Sequence, residues 1–320
     1  MTEIRTLADG EKITEPGFYE ISLDRHHAQP CDGPSVTSGV LRKMELATPA
    51  DVWAFSLLNP DRWEKEQTTA LRLGRAMASY VEGGMEAVAQ HFIVLPADKP
   101  RKPTEAQIKA YDEGKITEAN KASVEFWRAI EADPRDPLTE AEQKMISDMG
   151  KVLAEDPAAC AVMGGVPEIT MAWQDERTGL WLLARPDTVS FDGMLSDYKK
   201  MNTQGRPFNH RVVDNRITEH GYDQQIAFGC EVFERLVGEW PMGGIVAQWD
   251  QPPHHVILRE ILDEDLRIAQ WRNRRAIDRF HECLTSGNWP GPGADVAAYQ
   301  RPEWQRTMLI EEMQIAGTAP

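Results

Sequence analysis

The chain has 320 residues, 41% of them hydrophobic and 27% charged, with a formal net charge of −16. This length can bury the core of one large domain or of two small ones. The acidic balance excludes a protein that binds nucleic acid through bulk positive charge. A local basic groove is still compatible with it, because screening limits exposed charges to a range of about 8–10 Å.

The sequence shows no signal for a membrane or for an oxidising compartment. No apolar run approaches the ~20 residues of a membrane span, and the first residues lack the pattern of a signal peptide. The four cysteines are scattered without a C-x-x-C pair, which argues against a zinc ribbon and predicts reduced thiols. We therefore expect a cytoplasmic protein without membrane contact.

The first half of the chain is predicted to be mainly helical. Residues 1–33 are polar, and we expect an N-terminal extension with loose structure apart from a short strand around Gly17–Ile21. The main domain is predicted to span residues 34–290, followed by a tail at residues 291–320. Capping residues and apolar spacing predict helices from Ser35 or Ser38 to about residue 45, at 49–58 and at 66–91.

A helical insertion of this domain is predicted at about residues 104–156. Thr104-x-x-Gln107 and Thr139-x-x-Glu142 have the pattern of capping boxes, which satisfy the first backbone donors of a helix. Asp133–Pro137 contains two prolines and breaks the helical pattern between them.

The stretch between residues 168 and 200 predicts three extended segments. Asp175–Gly179 and Phe191-Asp192-Gly193 separate them, and Asp-Gly between alternating apolar runs favours a hairpin. We predict an antiparallel meander with strands at Ile169–Gln174, Leu180–Val189 and Met194–Lys200.

This meander carries the residues with the clearest chemistry. Asp197 and Lys199 lie on one face of a strand, and the hairpin can fold Asp187 beside them. Two clustered carboxylates repel unless a cation joins them, and oxygen ligands suit Mg²⁺ or Mn²⁺. A metal can polarise a phosphoryl oxygen, while an adjacent lysine stabilises charge on phosphorus. The alternative is chance, since D-x-K is a common pattern.

A local excess of positive charge follows the meander. The basic residues after Lys199 and Lys200 favour contact with phosphates, or alternatively belong to a solvated loop; they are Arg206, His210, Arg211 and Arg216. A helix predicted at His220–Val237 places Tyr222 and Gln225 side by side at i, i+3.

The remaining elements are predicted from periodicity and turn residues. They are strands at Gly244–Trp249 and His255–Leu258, a long helix at Asp263–Leu284 and a short helix near Glu303–Met313.

These motifs together resemble a known nuclease family. Arg185-Pro186-Asp187 followed by Asp197-Tyr198-Lys199 resembles the PD-(D/E)xK nuclease superfamily, and its RecE-type (exodeoxyribonuclease VIII) phage and prophage branch most closely. The other motifs shared with that branch, from about Gly17 to Trp304, are Glu168 before the strand with Trp173, the D-x-x-T-G turn at Asp175–Gly179, Tyr222-x-x-Gln225, Pro34–Gly39, Pro49–Trp53 and Asn288–Gly291.

The resemblance implies a fold, a reaction and a set of residue roles. The fold would be an α/β restriction-endonuclease-like core with a mostly antiparallel mixed sheet flanked by helices. The reaction would be hydrolysis of duplex DNA from the 5′ end with Mg²⁺, or Mn²⁺ in its place. The resemblance implies that the metal is bound by Asp187, Asp197, Glu168 and the Tyr198 carbonyl. It implies that Lys199 activates the nucleophile, with support from Gln225 and Tyr222. The residues implied to contact DNA are Tyr222, Lys200, Arg206, His210 and Arg211. A homo-oligomeric ring, a single-strand annealing protein as partner and a role in phage-type recombination are implied as well.

One position departs from the family pattern. The long helix of these nucleases often carries G-x-x-x-H, but here Gly74 is followed by Ala78, which cannot bind a metal. His91 is a candidate substitute, with a surface histidine as the alternative. Two other classes therefore stay open: a catalytically silent relative that binds DNA or protein, and a structure-specific endonuclease. The intact Asp187, Asp197 and Lys199 argue against the silent relative.

Overall fold

The computed structural model describes residues 3–64, 68–115, 117–293 and 298–317. The chain divides into two compact units, Met1–Trp289 and Pro290–Pro320. Within the described ranges, no helix is both long and apolar enough to span a bilayer.

Twelve strands occur in the described residues, and their bounds follow in chain order. They are β1 Ile4–Thr6, β2 Gly17–Glu20, β3 Ser35–Thr37, β4 Phe92–Leu95, β5 Asp136–Thr139, β6 Val166–Pro167, β7 Thr170–Gln174, β8 Trp181–Ala184, β9 Thr188–Ser190, β10 Met194–Met201, β11 Met242–Trp249 and β12 Val256–Ile261.

Twelve helices are found in the same part of the chain, the last of them in the second unit. They are α1 Leu23–His27, α2 Ser38–Leu46, α3 Pro49–Trp53, α4 Thr69–His91, α5 Glu105–Asp112, α6 Glu118–Ala132, α7 Glu140–Ala154, α8 Pro157–Val162, α9 His210–His220, α10 Tyr222–Val237, α11 Asp263–Ser286 and α12 Glu303–Ile315. The predicted start of the third helix, Glu66, lies outside the described residues, and α4 is interrupted at Gly83 and Gly84.

The strands form two five-stranded sheets and one two-stranded sheet. The first sheet has the order β1-β2-β7-β8-β3, the second β12-β11-β10-β9-β6, and β4 pairs with β5. Parallel and antiparallel pairs occur in both large sheets; β10, for example, is parallel to β11 and antiparallel to β9. The parallel pair needs a long crossover, which α9 and α10 supply. The predicted α/β class, with mixed sheets flanked by helices, is confirmed.

Helix α10 is the central element of the core. Every residue from Ile226 to Phe233 is buried, including the charged Glu231, as expected for a largely apolar helix in the middle of a core. The helix packs on α11 and contacts strands of both large sheets, including β7 and β10. Each large side chain buried there, such as Phe228, contributes about 1.5–3 kcal/mol of transfer free energy.

The predicted meander is divided between the two sheets. The segment Leu180–Val189 is two strands, β8 and β9, because Pro186 lacks the N–H that a continuous ladder requires. β6 and β7 are also separate strands, and Glu168 lies between them in a left-handed backbone conformation with a φ of 57°. The result is a β7–β8 hairpin in the first sheet and a β9–β10 hairpin in the second.

The N-terminal residues differ from the prediction of a loosely structured extension. β1 pairs with β2, and β2 pairs with β7 through Gly17–Tyr19, so this segment forms one side of the first sheet. In the first predicted helix the cap is Thr37 rather than Ser35 or Ser38, and Ser35 belongs to β3.

Two other segments also differ from their predictions. The insertion is not helical throughout, since β5 pairs in parallel with β4, although both predicted capping boxes are confirmed. The basic segment after β10 is not only a loop, because α9 begins at His210, with the Asn209 side chain capping its first turn.

Candidate active site

The two predicted carboxylates meet where the sheets join. The Asp187 backbone N–H donates to Asp197 Oδ1 at 3.1 Å, and the Tyr198 N–H donates to Asp187 Oδ2 at 2.6 Å. These reciprocal bonds fix the turn before β9 against β10. Only 1% of the Asp197 side chain is exposed, so the pair lies in a poorly solvated place.

Burial and repulsion perturb the carboxyl group of Asp187. Burial, followed by the Asp197 carboxylate, raises the pKa of Asp187 to about 8. Lys199 Nζ lies 3.7 Å from Asp197 Oδ2. Burial alone would lower the pKa of Lys199, but Asp197 and Asp187 outweigh it, and that pKa is raised. Lys199 is therefore an ammonium beside a carboxyl pair.

The donor set fits a hard divalent cation. Each carboxylate gives one oxygen to a backbone N–H and leaves the other for a further ligand. The remaining oxygen of Asp197, Oδ2, is buried without a hydrogen-bond partner, and the Lys199 ammonium, 3.7 Å away, is too distant to donate to it, so a cation that binds this oxygen directly would stabilise it. The described residues contain no group of three or more His, Cys, Asp or Glu side chains arranged for a metal. The ion would keep several waters, as Mg²⁺ does.

Glu168 lies at the same junction but is engaged by another side chain. Its N–H donates to the Asp187 carbonyl at 3.1 Å, while its Oε2 accepts from Arg185 Nε at 2.7 Å. Arg185 also donates to the Ile21 carbonyl and to Thr170 Oγ1, at 2.5 and 3.2 Å. Glu168 is thus held close to the pair, with an arginine that a second metal ion would have to displace.

Helix α10 brings Tyr222 to the site. Lys199 Nζ lies 5.2 Å from the centroid of the Tyr222 ring, within the range of a cation–π contact. Gln225 follows one turn later and is partly buried. Tyr222 and Gln225, predicted to be neighbours at i, i+3, therefore lie in the first turn of a helix whose Tyr222 ring contacts Lys199.

Sequence reasoning missed one residue of this group, Arg42 on α2. Its guanidinium carbon lies 5.7 Å from the Tyr222 centroid. The available signal was a cation within the Pro34–Leu46 region, next to the apolar positions Leu41 and Met44 that α2 buries. Arginine at the edge of an apolar stripe is common, so the pattern alone does not identify it.

The predicted DNA-contacting residues occupy two different places. Arg206, His210 and Arg211 are exposed on the segment that leads into α9. Lys200 points to the face of β10 opposite Lys199, where it lies 3.6 Å from Asp250 and is only 13% exposed. The structure therefore places Lys200 away from the carboxyl pair.

The departure from the family pattern lies on α4. Ala78 is exposed there, and His91 is exposed at the C-terminal end of the same helix. No contact found between described side chains links either residue to Asp187.

The arrangement of the two sheets, with paired aspartates at their junction and Asp-x-Lys on β10, defines a PD-(D/E)xK-type domain. A family model described as a PDDEXK-like domain of unknown function (DUF3799) matches residues 49–302, and the chain belongs to this family.

One solved structure agrees on the fold. A candidate exonuclease from Eubacterium rectale is similar with a TM-score of 0.58 and 15% identity, covering 90% of this chain and 98% of that one. A phage-related exonuclease from Haemophilus somnus gives a TM-score of 0.30 and 13% identity, over 58% of this chain and 91% of that one. None of the curated proteins matches the chain significantly.

Proposed function

We propose that this protein is a Mg²⁺-dependent deoxyribonuclease that hydrolyses the phosphodiester bonds of duplex DNA. The observation that carries the proposal is the joined pair Asp187 and Asp197, in which a buried Asp197 oxygen has no hydrogen bond and lies 3.7 Å from the Lys199 ammonium. Membership in a PDDEXK-like family supports it.

The residues of the candidate site would have the following roles in this reaction. Asp187 and Asp197 would hold the ion, with the Tyr198 carbonyl as a third protein ligand, and Mn²⁺ could take the place of Mg²⁺. A bound ion of this kind polarises a phosphoryl oxygen and lowers the pKa of a coordinated water. Since the pKa of Lys199 is raised, its ammonium would orient the attacking water and stabilise negative charge on the phosphate.

The residues around this centre would steady the reactants. Gln225 has both a donor and an acceptor and would hold the attacking water or a carboxylate. Glu168 would orient Arg185 in the state described here, and would reach a second ion only by leaving that arginine. Arg206, His210 and Arg211 would contact phosphates further along the DNA.

We further propose exonuclease action from the 5′ end in phage-type recombination. This part rests on the RecE-type motifs, together with the exonuclease description of the Eubacterium rectale structure. A homo-oligomer and a single-strand annealing protein as partner belong to the same proposal.

Incubation with end-labelled linear duplex and with closed circular duplex tests the proposal, each with Mg²⁺ and with EDTA. We expect the linear DNA to be degraded from its 5′ ends only when Mg²⁺ is present, and the circle to survive. Cutting of the circle would indicate the endonuclease instead. Binding of DNA without cleavage under any metal condition would indicate the catalytically silent relative.

A further inference from the structure

Arg42 is a half-buried cation next to the candidate site, and no described carboxylate forms an ion pair with it. Its Nη1 donates to the His220 carbonyl at 3.1 Å, and its guanidinium lies over the Tyr222 ring that Lys199 also contacts. Its Nε is buried and has no hydrogen-bond partner. Two cations therefore share one aromatic ring beside two carboxyl groups.

The rest of α2 shows how this chain normally compensates a buried charge. Glu45, three residues after Arg42, is contacted by Arg272 at 3.7 Å and forms a second ion pair with Arg275. No described Asp or Glu forms an ion pair with Arg42. Burial lowers the pKa of Arg42, although Asp197 is near enough to oppose that effect. A half-buried guanidinium without an acidic partner is stabilised when an anion reaches it.

The geometry of the side chain selects the kind of anion. Because Nη1 is occupied by the His220 carbonyl and Nε is buried, Nη2 is the guanidinium nitrogen that is left without a hydrogen bond among the described residues. Its two N–H groups can donate to the oxygens of a phosphate. Gly221 makes room for the stem: a Cβ there would lie 3.3 Å from Arg42 Cγ and Cδ, and its φ of 63° also favours glycine.

We propose that Arg42 binds the non-bridging oxygens of the DNA phosphate that enters the Asp187–Asp197 site, and so positions this phosphodiester beside Lys199. The inference rests on the proposed function, since it requires that DNA is the substrate. It adds a phosphate-binding residue from α2 to a site otherwise built from the turn before β9, from β10 and from α10.

A cycle between protein variants and modified DNA tests this contact. Binding of fluorescent duplexes is measured with Ca²⁺ in place of Mg²⁺ to prevent cleavage. One neutral methylphosphonate replaces the phosphate at a single linkage, moved stepwise inward from the 5′ end. The variants are Arg42→Gln and, as matched control, Lys43→Gln, which removes the same charge from an exposed position of the same helix.

With natural DNA we expect Arg42→Gln to weaken binding by roughly 10-fold or more, the size expected for a charged hydrogen-bonded contact. With a methylphosphonate at one particular linkage, the same substitution should cause no further loss. Lys43→Gln should weaken binding of every duplex equally, by about threefold at most. Arg42→Lys keeps the charge but not the guanidinium, and its affinity for DNA should lie between those of the wild type and Arg42→Gln. It replaces Arg42→Gln in the cycle if Arg42→Gln does not unfold cooperatively.

Multiplicative effects at every linkage would overturn the inference, because Arg42 would then touch no phosphate. If the cycle is non-additive but Mg²⁺ supports no cleavage, the proposed nuclease activity fails and the contact stands. If the unchanged protein does not bind duplex DNA, both are overturned.

Discussion

At the scale of single residues, Asp187 carries a carboxyl group whose pKa is far from its ordinary value. Burial and the Asp197 carboxylate raise that pKa from 3.8 to about 8. The folded protein therefore retains a proton that the unfolded chain loses between about pH 4 and pH 8. The stability that this group contributes is fully present below its ordinary pKa and is lost as the pH rises through the folded-state pKa.

The first prediction follows from this sign. Without divalent metal, the melting temperature of the wild type should fall between pH 4 and pH 8 more steeply than that of Asp187→Asn. The amide keeps an acceptor for the Tyr198 N–H but carries no charge. The curves should diverge by at least about 2–4 °C, the shift that ~1 kcal/mol gives in a domain of this size. Parallel melting curves across the whole range would contradict the assignment.

The second prediction separates two neighbouring lysines on β10. Lys199→Ala should lower the cleavage rate by roughly 10²–10³ while changing DNA affinity little, because its ammonium acts mainly on charge that develops in the transition state. Lys200→Ala should instead lower thermal stability, since it leaves the buried Asp250 carboxylate without its ion pair, and should spare the rate of the folded enzyme. Single-turnover cleavage and melting curves of both variants decide this. An equal loss of cleavage rate in the two variants would show that Lys199 and Lys200 do not have different roles on the two faces of β10.

At the scale of elements, the junction between the two sheets determines where the carboxylates meet. β8 ends before Arg185 and β9 begins after Asp187, so the turn carries the first aspartate to β10. Glu168 occupies the matching break between β6 and β7 in a left-handed conformation, with φ 57°. Such a conformation costs a residue other than glycine of order 1 kcal/mol or more.

The third prediction measures that strain. Glu168→Ala and Glu168→Gly both remove the ion pair with Arg185, so they differ only in the backbone. The glycine variant should be the more stable of the two by about 1 kcal/mol, despite the usual entropic disadvantage of glycine. Denaturant unfolding of both proteins gives this difference. An alanine variant at least as stable as the glycine variant would mean that the junction stores no strain at Glu168.

The elements also show where sequence patterns suffice. Two-residue alternation places Asp197 and Lys199 on one face of β10 before any tertiary structure is known. The capping boxes of α5 and α7 are local and are found as predicted. The pairing of β2 with β7 could not be predicted in the same way, because the register of Gly17–Tyr19 depends on a strand about 150 residues later in the chain.

At the scale of the whole molecule, the same limit explains why Arg42 was missed. Its burial depends on the His220 carbonyl, which is 178 residues away in sequence, and on the Tyr222 ring. The Asp187–Asp197 pair could be predicted from the sequence, because a hairpin is local and the chemistry of two clustered carboxylates is distinctive. The division of the predicted meander between two sheets could not be predicted, because it depends on how β6 and β8 pair with other strands.

The fourth prediction concerns the net charge of −16, which must be overcome locally for DNA to bind. Arg206 and Arg211 are exposed, so each should contribute a phosphate contact with little effect on stability. Arg206→Ala and Arg211→Ala should each weaken DNA binding and reduce the slope of log K against log salt by about one. If the slopes of log K against log salt equal that of the wild type, Arg206 and Arg211 do not contact the DNA phosphates.

The central claim is that Asp187 and Asp197 form a metal-dependent hydrolytic site, and Mg²⁺ titration of Asp197→Asn tests it most directly. Melting temperature and cleavage of linear duplex DNA are followed together, with Asp192→Asn in the exposed β9–β10 turn as the matched control. Mg²⁺ should raise the melting temperature of the wild type and of the control by mass action, and both should cleave. Asp197→Asn should show neither response to Mg²⁺, and its melting temperature without metal serves as its own baseline, because the substitution both relieves repulsion with Asp187 and removes the ion pair with Lys199. An Asp197→Asn protein that cleaves DNA at the wild-type rate would contradict the account.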